Sequence, residues 1–191
     1  MFIKNWRKEI LTIPNLLTLF RIILIPVYMH LYLNASTNTE YLLAGVVLAI
    51  SCLTDMIDGK IARHFNMISN IGKVLDPLAD KLTQFTLLLC LSFKYSILYP
   101  VLALFLIKEL FQLFLMIIHL FKGKALDGAL PEGKVCTAVL FTSLILLVLL
   151  PNLNTKIVDI IVLVDVYFLL NSFISYLLAY WGKNKKIQDL Q

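Results

Sequence analysis

With 191 residues, 60% of them hydrophobic and only 15% charged, and a mean hydropathy of +0.85, the chain falls outside the range of soluble globular domains and reads as an integral membrane protein. Its net charge of +5 does not signal nucleic acid, because the cations sit at the ends of apolar runs and form no basic stripe with interleaved aromatics. No linker, low-complexity tract or repeat divides the chain, so a single membrane domain over 1–191 is expected.

The opening stretch, MFIKNWRKEILTIPN, is basic and then apolar. Residues 1–12 are expected to lie in the headgroup layer as an amphipathic segment, with Trp6 as an anchor. The apolar run that follows lasts a full span and no small-x-small cleavage site appears, so a retained helix is expected rather than a signal peptide. Six apolar windows then follow at about 14–33, 40–59, 76–94, 96–121, 133–151 and 156–181, each long enough as a helix to cross a ~30 Å hydrocarbon core. Pro14 just before the first, Pro77 in the first turn of the third and Pro151 at the end of the fifth stand where a missing N–H is tolerated. The expected fold is all-α, with six transmembrane helices after a short interfacial segment.

Orientation follows from the cations. Lys4, Arg7, Lys8, Lys60, Arg63, Lys73, Lys122, Lys124, Lys134, Lys183, Lys185 and Lys186 fall on one side of these windows, and Lys94 and Lys156 on the other. The positive-inside rule then puts both termini, and the loops after the second and fourth helices, in the cytoplasm of a multi-pass cell-membrane protein. Tyr28, Tyr32, Tyr41, Tyr99, Trp6 and Trp181 lie near span ends and are expected to form interfacial belts. Cys52, Cys90 and Cys136 are odd in number and lack C-x-x-C spacing, which fits buried thiols and neither a disulfide framework nor a zinc site.

Charge inside the spans is where function is expected, since an ionisable group near the bilayer centre costs at least ~2.5 kcal/mol unless paired or hydrated. Arg21, Lys81 and Lys108 are such groups, with Asp159 and Asp165 in the sixth window. The densest cluster lies in TDMIDGKIARHFNMISNIGKVLDPLADK, residues 54–81. On helices, Asp55 and Asp58 are three apart and Asp76 and Asp80 four apart, so each pair shares one face. A hairpin joining the two faces makes a box of four carboxylates at the cytoplasmic boundary. Such carboxylates repel one another unless cations are present, and an all-oxygen donor set selects a hard ion over zinc or copper, so one or two divalent ions such as Mg²⁺ or Mn²⁺ are expected.

The surroundings suit a diphosphate. Gly59 and Ala62 allow close approach to the backbone, Arg63 offers a bidentate guanidinium, and Gly72 precedes a helix whose N-terminal N–H groups add positive potential. One or two aspartates alone would read as helix caps in a solvated loop; four with Gly, Ala and Arg at regular spacing do not.

Written out, residues 55–80 read D-x-x-D-G-x-x-A-R-x₈-G-x₃-D-x₃-D, and this pattern resembles the signature of the CDP-alcohol phosphatidyltransferase family at every fixed position. IPNLLTLFRIILIP at 13–26 and GKVLDPLADK at 72–81 look most like its bacterial phosphatidylglycerophosphate synthase branch. The resemblance implies metal-dependent transfer of a phosphatidyl group from CDP-diacylglycerol to an alcohol with release of CMP, in phospholipid biosynthesis, by a homodimer. It implies that Asp55, Asp58 and Asp76 bind metal with help from Asp80, and that Asp80 is the general base. The nucleotide-binding role falls on Gly59, Ala62 and Arg63, with Thr54 and Gly72 beside them.

Glycerol-3-phosphate is the acceptor this branch implies, and its phosphate needs cations of its own, for which Arg21, Lys81, Lys108 and Lys134 are available. IKELFQ at 107–112 departs from the family's usual REF-like stretch, and DGALPE precedes the fifth helix where another sequence is expected. Phosphatidylglycerol, the acceptor of a cardiolipin synthase, therefore stays open, as do serine and inositol phosphate. Two other classes stand beside the enzyme. A small cation transporter would carry acidic groups near the midplane with access from both sides, and an assembly factor would not need the Gly, Ala and Arg positions.

Overall fold

The computed structural model describes residues 12–64, 72–121 and 130–188, and all regular structure among them is helical. In chain order these are α1 (Ile13–Leu33), α2 (Asn38–His64), α3 (Gly72–Lys94), a 3₁₀ turn (Ser96–Leu98), α4 (Tyr99–Phe121), α5 (Pro131–Leu149) and α6 (Thr155–Gln188). The expected interfacial segment at 1–12 lies outside the described residues except for Thr12.

Among the described residues, four stretches are long and apolar enough to cross a membrane: Ile13–Leu33, Ser96–Leu115, Pro131–Leu149 and Thr155–Ala179. The protein is thus a multi-pass membrane protein. Helices α2 and α3 are 27 and 23 residues long, and each mixes a long apolar run with the charged residues of the 54–81 stretch. Both begin or end beyond the apolar windows. The α2 helix continues from the apolar run through Asp58 to His64, because backbone hydrogen bonding is indifferent to the charge on the side chains.

Two proline positions differ in consequence. Pro14 sits at the start of α1, where its lacking N–H would have had no acceptor. Pro77 was expected in the first turn of the third helix; α3 instead begins at Gly72, so Pro77 lies inside it. An interior proline leaves the carbonyl four residues earlier, that of Lys73, without its helical donor. Asp76 and Asp80 are therefore interior helical residues, and the helix N-terminus is at Gly72.

The chain packs as two compact units, one drawn from Met1–Cys90 and Val148–Pro151, the other from Leu91–Leu147 and Asn152–Gln191. In the first, α1 and α2 pack against each other. Their short connection is closed by reciprocal capping: the Ser36 and Thr37 N–H groups donate to Glu40 Oε2 at 2.5 and 3.0 Å, and the Glu40 N–H donates to Thr37 Oγ1 at 3.4 Å. Below it the rings of Tyr28, Tyr32 and Tyr41 pack in series, with centroids 5.7 and 5.2 Å apart. Tyr28 and Tyr32 are 4% and 3% exposed, and so belong to the core and not to the interfacial belt expected of them. Tyr99, by contrast, is exposed. Gly45 lets the end of α5 approach, since a Cβ there would stand 3.3 Å from Leu149 Cδ2.

In the second unit α4 packs on α6, with the rings of Phe111 and Phe173 edge to face at 5.2 Å. Leu98, Val101, Leu140, Leu144, Leu147 and Leu169 fill its interior. Within this apolar setting Asp165 is buried, and its carboxylate oxygens each lie 2.8 Å from the Ser143 hydroxyl, which donates to one of them. Asp159 is exposed. Cys52, Cys90 and Cys136 are free thiols, the last two buried.

Candidate functional site

The site is built on one face of α1. Asn15, Thr18 and Arg21 recur every three residues, which stacks them on adjacent turns, and they are 2%, 0% and 2% exposed. In a helix whose remaining residues are mostly apolar, this polar stripe needs partners, and α2 and α3 supply them for Thr18 and Arg21.

Arg21 reaches both helices. Its Nη2 lies 2.5 Å from Asp55 Oδ1 on α2, and its Nη1 lies 2.5 Å from Asp80 Oδ1 on α3. One turn earlier, the Thr18 hydroxyl stands 2.6 Å from Asp76 Oδ1 and 3.1 Å from the Pro14 carbonyl, and the shorter approach identifies the carboxylate as its acceptor. Three of the four motif aspartates thus converge on two neighbouring residues of α1. A planar guanidinium is suited to this: it presents two terminal nitrogens in a fixed fork, each donating to a different carboxylate.

Exposure divides the pieces. The Arg21 side chain is 2% exposed, while those of Asp55 and Asp80 are 46% and 49% exposed. The cation is the floor of the site and the carboxylates open outward from it, so a ligand meets the acids first. In chemistry the donor set is one of hard oxygens, which fits a divalent ion of the magnesium type. No group of three or more ligating acids, histidines or cysteines is close enough to hold a metal ion among the described residues, and the Asp58 side chain is outside them.

Other residues expected at the site are distributed as follows. Thr54 donates its hydroxyl to the Ser51 carbonyl at 2.7 Å, bonding back onto its own helix. Gly72 is buried at the start of α3. Gly59, Ala62 and Arg63 lie on the last turns of α2, and their side-chain environment is outside the described residues. Lys81 is half-buried in α3 beside Asp80. Lys108 and Lys134 belong to the second unit. There Lys108, 2% exposed, donates to Glu109 Oε1 at 2.8 Å, and Lys134 is exposed in the first turn of α5.

Thr18 carries a contact that the sequence reading missed. A lone threonine in an apolar helix is unremarkable, but N-x-x-T-x-x-R places three polar side chains on one helical stripe, and that period was the available signal.

The family model for CDP-alcohol phosphatidyltransferase matches residues 11–177, which takes in both α1 and the aspartate helices. A cardiolipin synthase (CMP-forming) / mitochondrial hydrolase fusion protein of Schizosaccharomyces pombe is 41% identical over 91 residues, 46% of this chain and 14% of that protein. A cardiolipin synthase (CMP-forming) of Streptomyces coelicolor is 38% identical over 88 residues, 45% of this chain and 41% of that protein. A CDP-diacylglycerol–glycerol-3-phosphate 3-phosphatidyltransferase of Aquifex aeolicus is 37% identical over 138 residues, 72% of this chain and 74% of that protein. The chain spans less than half the length of the first two relatives and about three-quarters of the third. With the D-x-x-D-G-x-x-A-R-x₈-G-x₃-D-x₃-D pattern complete and the family match running over nearly the whole chain, the protein belongs to the CDP-alcohol phosphatidyltransferase family.

Proposed function

We propose that the protein transfers a phosphatidyl group from CDP-diacylglycerol to glycerol-3-phosphate, giving phosphatidylglycerophosphate and CMP. The observation that carries this reading is the convergence of Asp55, Asp76 and Asp80 on Thr18 and Arg21, at the head of a signature whose remaining residues suit a nucleotide diphosphate. The longest alignment among the relatives named above, to the Aquifex aeolicus protein, supports glycerol-3-phosphate as acceptor.

In the proposed reaction the acceptor hydroxyl oxygen attacks the phosphorus that carries diacylglycerol. A new P–O bond forms, the bond from that phosphorus to the bridging oxygen breaks, and CMP leaves with the bonding pair. Asp80, half-exposed and beside the site, takes the hydroxyl proton. Gly59 and Ala62 admit the donor to the backbone and Arg63 pairs with its phosphate. Asp55, Asp58 and Asp76, with Asp80, are the residues that would hold one or two Mg²⁺ or Mn²⁺ ions. Bound there, the metal supplies charge neutralisation of the diphosphate and of departing CMP. Arg21 and Lys81 are the cations of the first unit available to the acceptor phosphate.

The proposed topology has six membrane crossings with both termini and the site in the cytoplasm; the apolar runs of α2 and α3 beside the four long apolar stretches, and the distribution of lysine and arginine, support it. This topology brings a polar acceptor from the cytosol to a donor whose acyl chains stay in the bilayer. Assembly as a homodimer is proposed on the family resemblance alone, since apolar side chains exposed on membrane-crossing helices face lipid.

A second acceptor, phosphatidylglycerol, is favoured by the two cardiolipin synthase relatives. One assay separates these readings: CMP release from CDP-diacylglycerol in detergent, with Mg²⁺ or Mn²⁺ and with glycerol-3-phosphate, phosphatidylglycerol, serine or inositol phosphate in turn. Release with glycerol-3-phosphate is expected. Release with phosphatidylglycerol alone replaces the acceptor, and no release with any of the four sinks the enzyme reading in favour of a transporter or assembly role.

A further inference from the structure

We infer that Thr18 and Arg21 are positioning residues of the phosphatidyl-transfer site, fixing the orientation of the Asp76, Asp55 and Asp80 carboxylates on which binding of the divalent ion would depend. This inference rests on the transferase reading and deepens it. It also gives Arg21 a role different from a direct contact with the acceptor phosphate.

The argument is one of placement. A carboxylate on a helix has two side-chain torsions, and a half-exposed one has little packing to choose among its rotamers. Asp55 and Asp80 are in that position, being 46% and 49% exposed at the side chain. What selects their orientation is the guanidinium behind them, itself buried in α1 and held by packing. Each carboxylate meets it through Oδ1, so the two are turned toward a common point. The Thr18 hydroxyl does the same for Asp76 Oδ1, from a residue with no exposed surface. Oxygen ligands to metal are ordinarily held by such hydrogen bonds from behind, and removing them costs roughly tenfold to a hundredfold in metal affinity or activity.

Charge gives Arg21 a second part in this. A fixed cation between two acids from different helices offsets their repulsion before any metal binds, so the helices can close. The same charge opposes the metal electrostatically, and deleting it therefore mixes two opposite effects. Substituting Arg21→Lys keeps the charge and removes only the fork that reaches both carboxylates, which isolates the geometric part.

The test is Mn²⁺ alone, titrated into the full-length protein in detergent and followed by its electron paramagnetic resonance signal, with CMP release measured in parallel. Thr18→Val, which keeps shape and removes the donor, and Arg21→Lys are expected to weaken Mn²⁺ binding roughly tenfold to a hundredfold. Turnover at limiting Mn²⁺ is expected to fall with it and to recover in part as Mn²⁺ is raised. Thr18→Ser is expected to restore binding to within about threefold of wild type, since it returns the same hydroxyl. The inference is overturned if Thr18→Val and Arg21→Lys bind Mn²⁺ as wild type does, or if both merely lower the melting temperature and Thr18→Ser restores nothing. A wild-type protein that neither binds Mn²⁺ nor releases CMP would instead sink the transferase reading, and this inference with it.

Discussion

The hydroxyl of Tyr176 on α6 lies over the α-carbon of Gly133 at the start of α5. A Cβ added to Gly133 would stand 2.7 Å from Tyr176 Oη and 3.0 Å from its Cε2. The same Oη accepts the Leu130 N–H at 3.2 Å, satisfying one of the donors that an α-helix leaves open ahead of its first turn. Glycine is needed here for space. Gly133→Ala should force the ring aside and break that bond, destabilising the protein by about 1–3 kcal/mol. Because the nearest clash is with the hydroxyl oxygen, Gly133→Ala combined with Tyr176→Phe should be less unstable than the sum of the two single changes. Thermal unfolding of all four proteins in detergent, treated as a double-mutant cycle, measures the coupling; strict additivity would show that ring and glycine do not meet.

The turn between α1 and α2 gives an independent stability test. Thr37 and Glu40 form a capping box, with Glu40 Oε2 serving the Ser36 and Thr37 N–H groups. Thr37→Ala should cost about 1 kcal/mol, and Thr37→Ser should cost little, because it keeps the hydroxyl that caps the Glu40 N–H. Comparison of unfolding temperatures in one detergent decides it. Equal losses for alanine and serine would show that the hydroxyl is not what matters.

Such caps escaped the hydropathy reading because they sit where the apolar signal stops. That signal locates helices well: the window at 14–33 is α1 at Ile13–Leu33, and the one at 133–151 is α5 at Pro131–Leu149. It fails at the aspartate motif, where α2 runs on through charged residues to His64 and α3 begins already at Gly72. The identities of Asp55, Asp76 and Asp80 were legible from spacing, since i,i+3 and i,i+4 pairs must share a face. What organises them was not. Arg21 was visible only as a costly charge, and its two partners lie 34 and 59 residues further along the chain, a pairing that only packing reveals. Tyr28 and Tyr32 were misplaced for a related reason. A tyrosine near a span end suits an interface, yet here neighbouring helices bury both rings.

Asp165 poses the buried-acid problem in the second unit. It is 1% exposed and meets the Ser143 hydroxyl. A neutral amide keeps a carbonyl oxygen to accept from that hydroxyl, whereas leucine leaves the hydroxyl bonding only to its own helix at the Leu140 carbonyl, 2.9 Å away. Asp165→Asn is therefore expected to unfold within a few degrees of wild type. Ser143→Ala, which strips the donor from a buried carboxyl, should cost about 1–3 kcal/mol. If Ser143→Ala is neutral by thermal unfolding, the hydroxyl does not hold Asp165.

Turnover should separate Asp80 from its neighbours in the cluster. Asp80→Asn preserves shape and an oxygen for the Arg21 Nη1 contact, but cannot accept a proton at neutral pH. General-base catalysis contributes about 10²- to 10⁴-fold, so CMP release is expected to fall by that factor while CDP-diacylglycerol still binds. Asp76→Asn is expected to act through metal and donor together, because the amide is a poorer ligand for a hard cation than a carboxylate. Raising Mn²⁺ should then recover much of the Asp76→Asn activity but only the smaller, ligand-borne part of the Asp80→Asn loss. Measuring CMP release across a Mn²⁺ series for both variants decides the assignment: full recovery of Asp80→Asn by metal would leave Asp80 a ligand only, and the proton acceptor would have to be sought elsewhere.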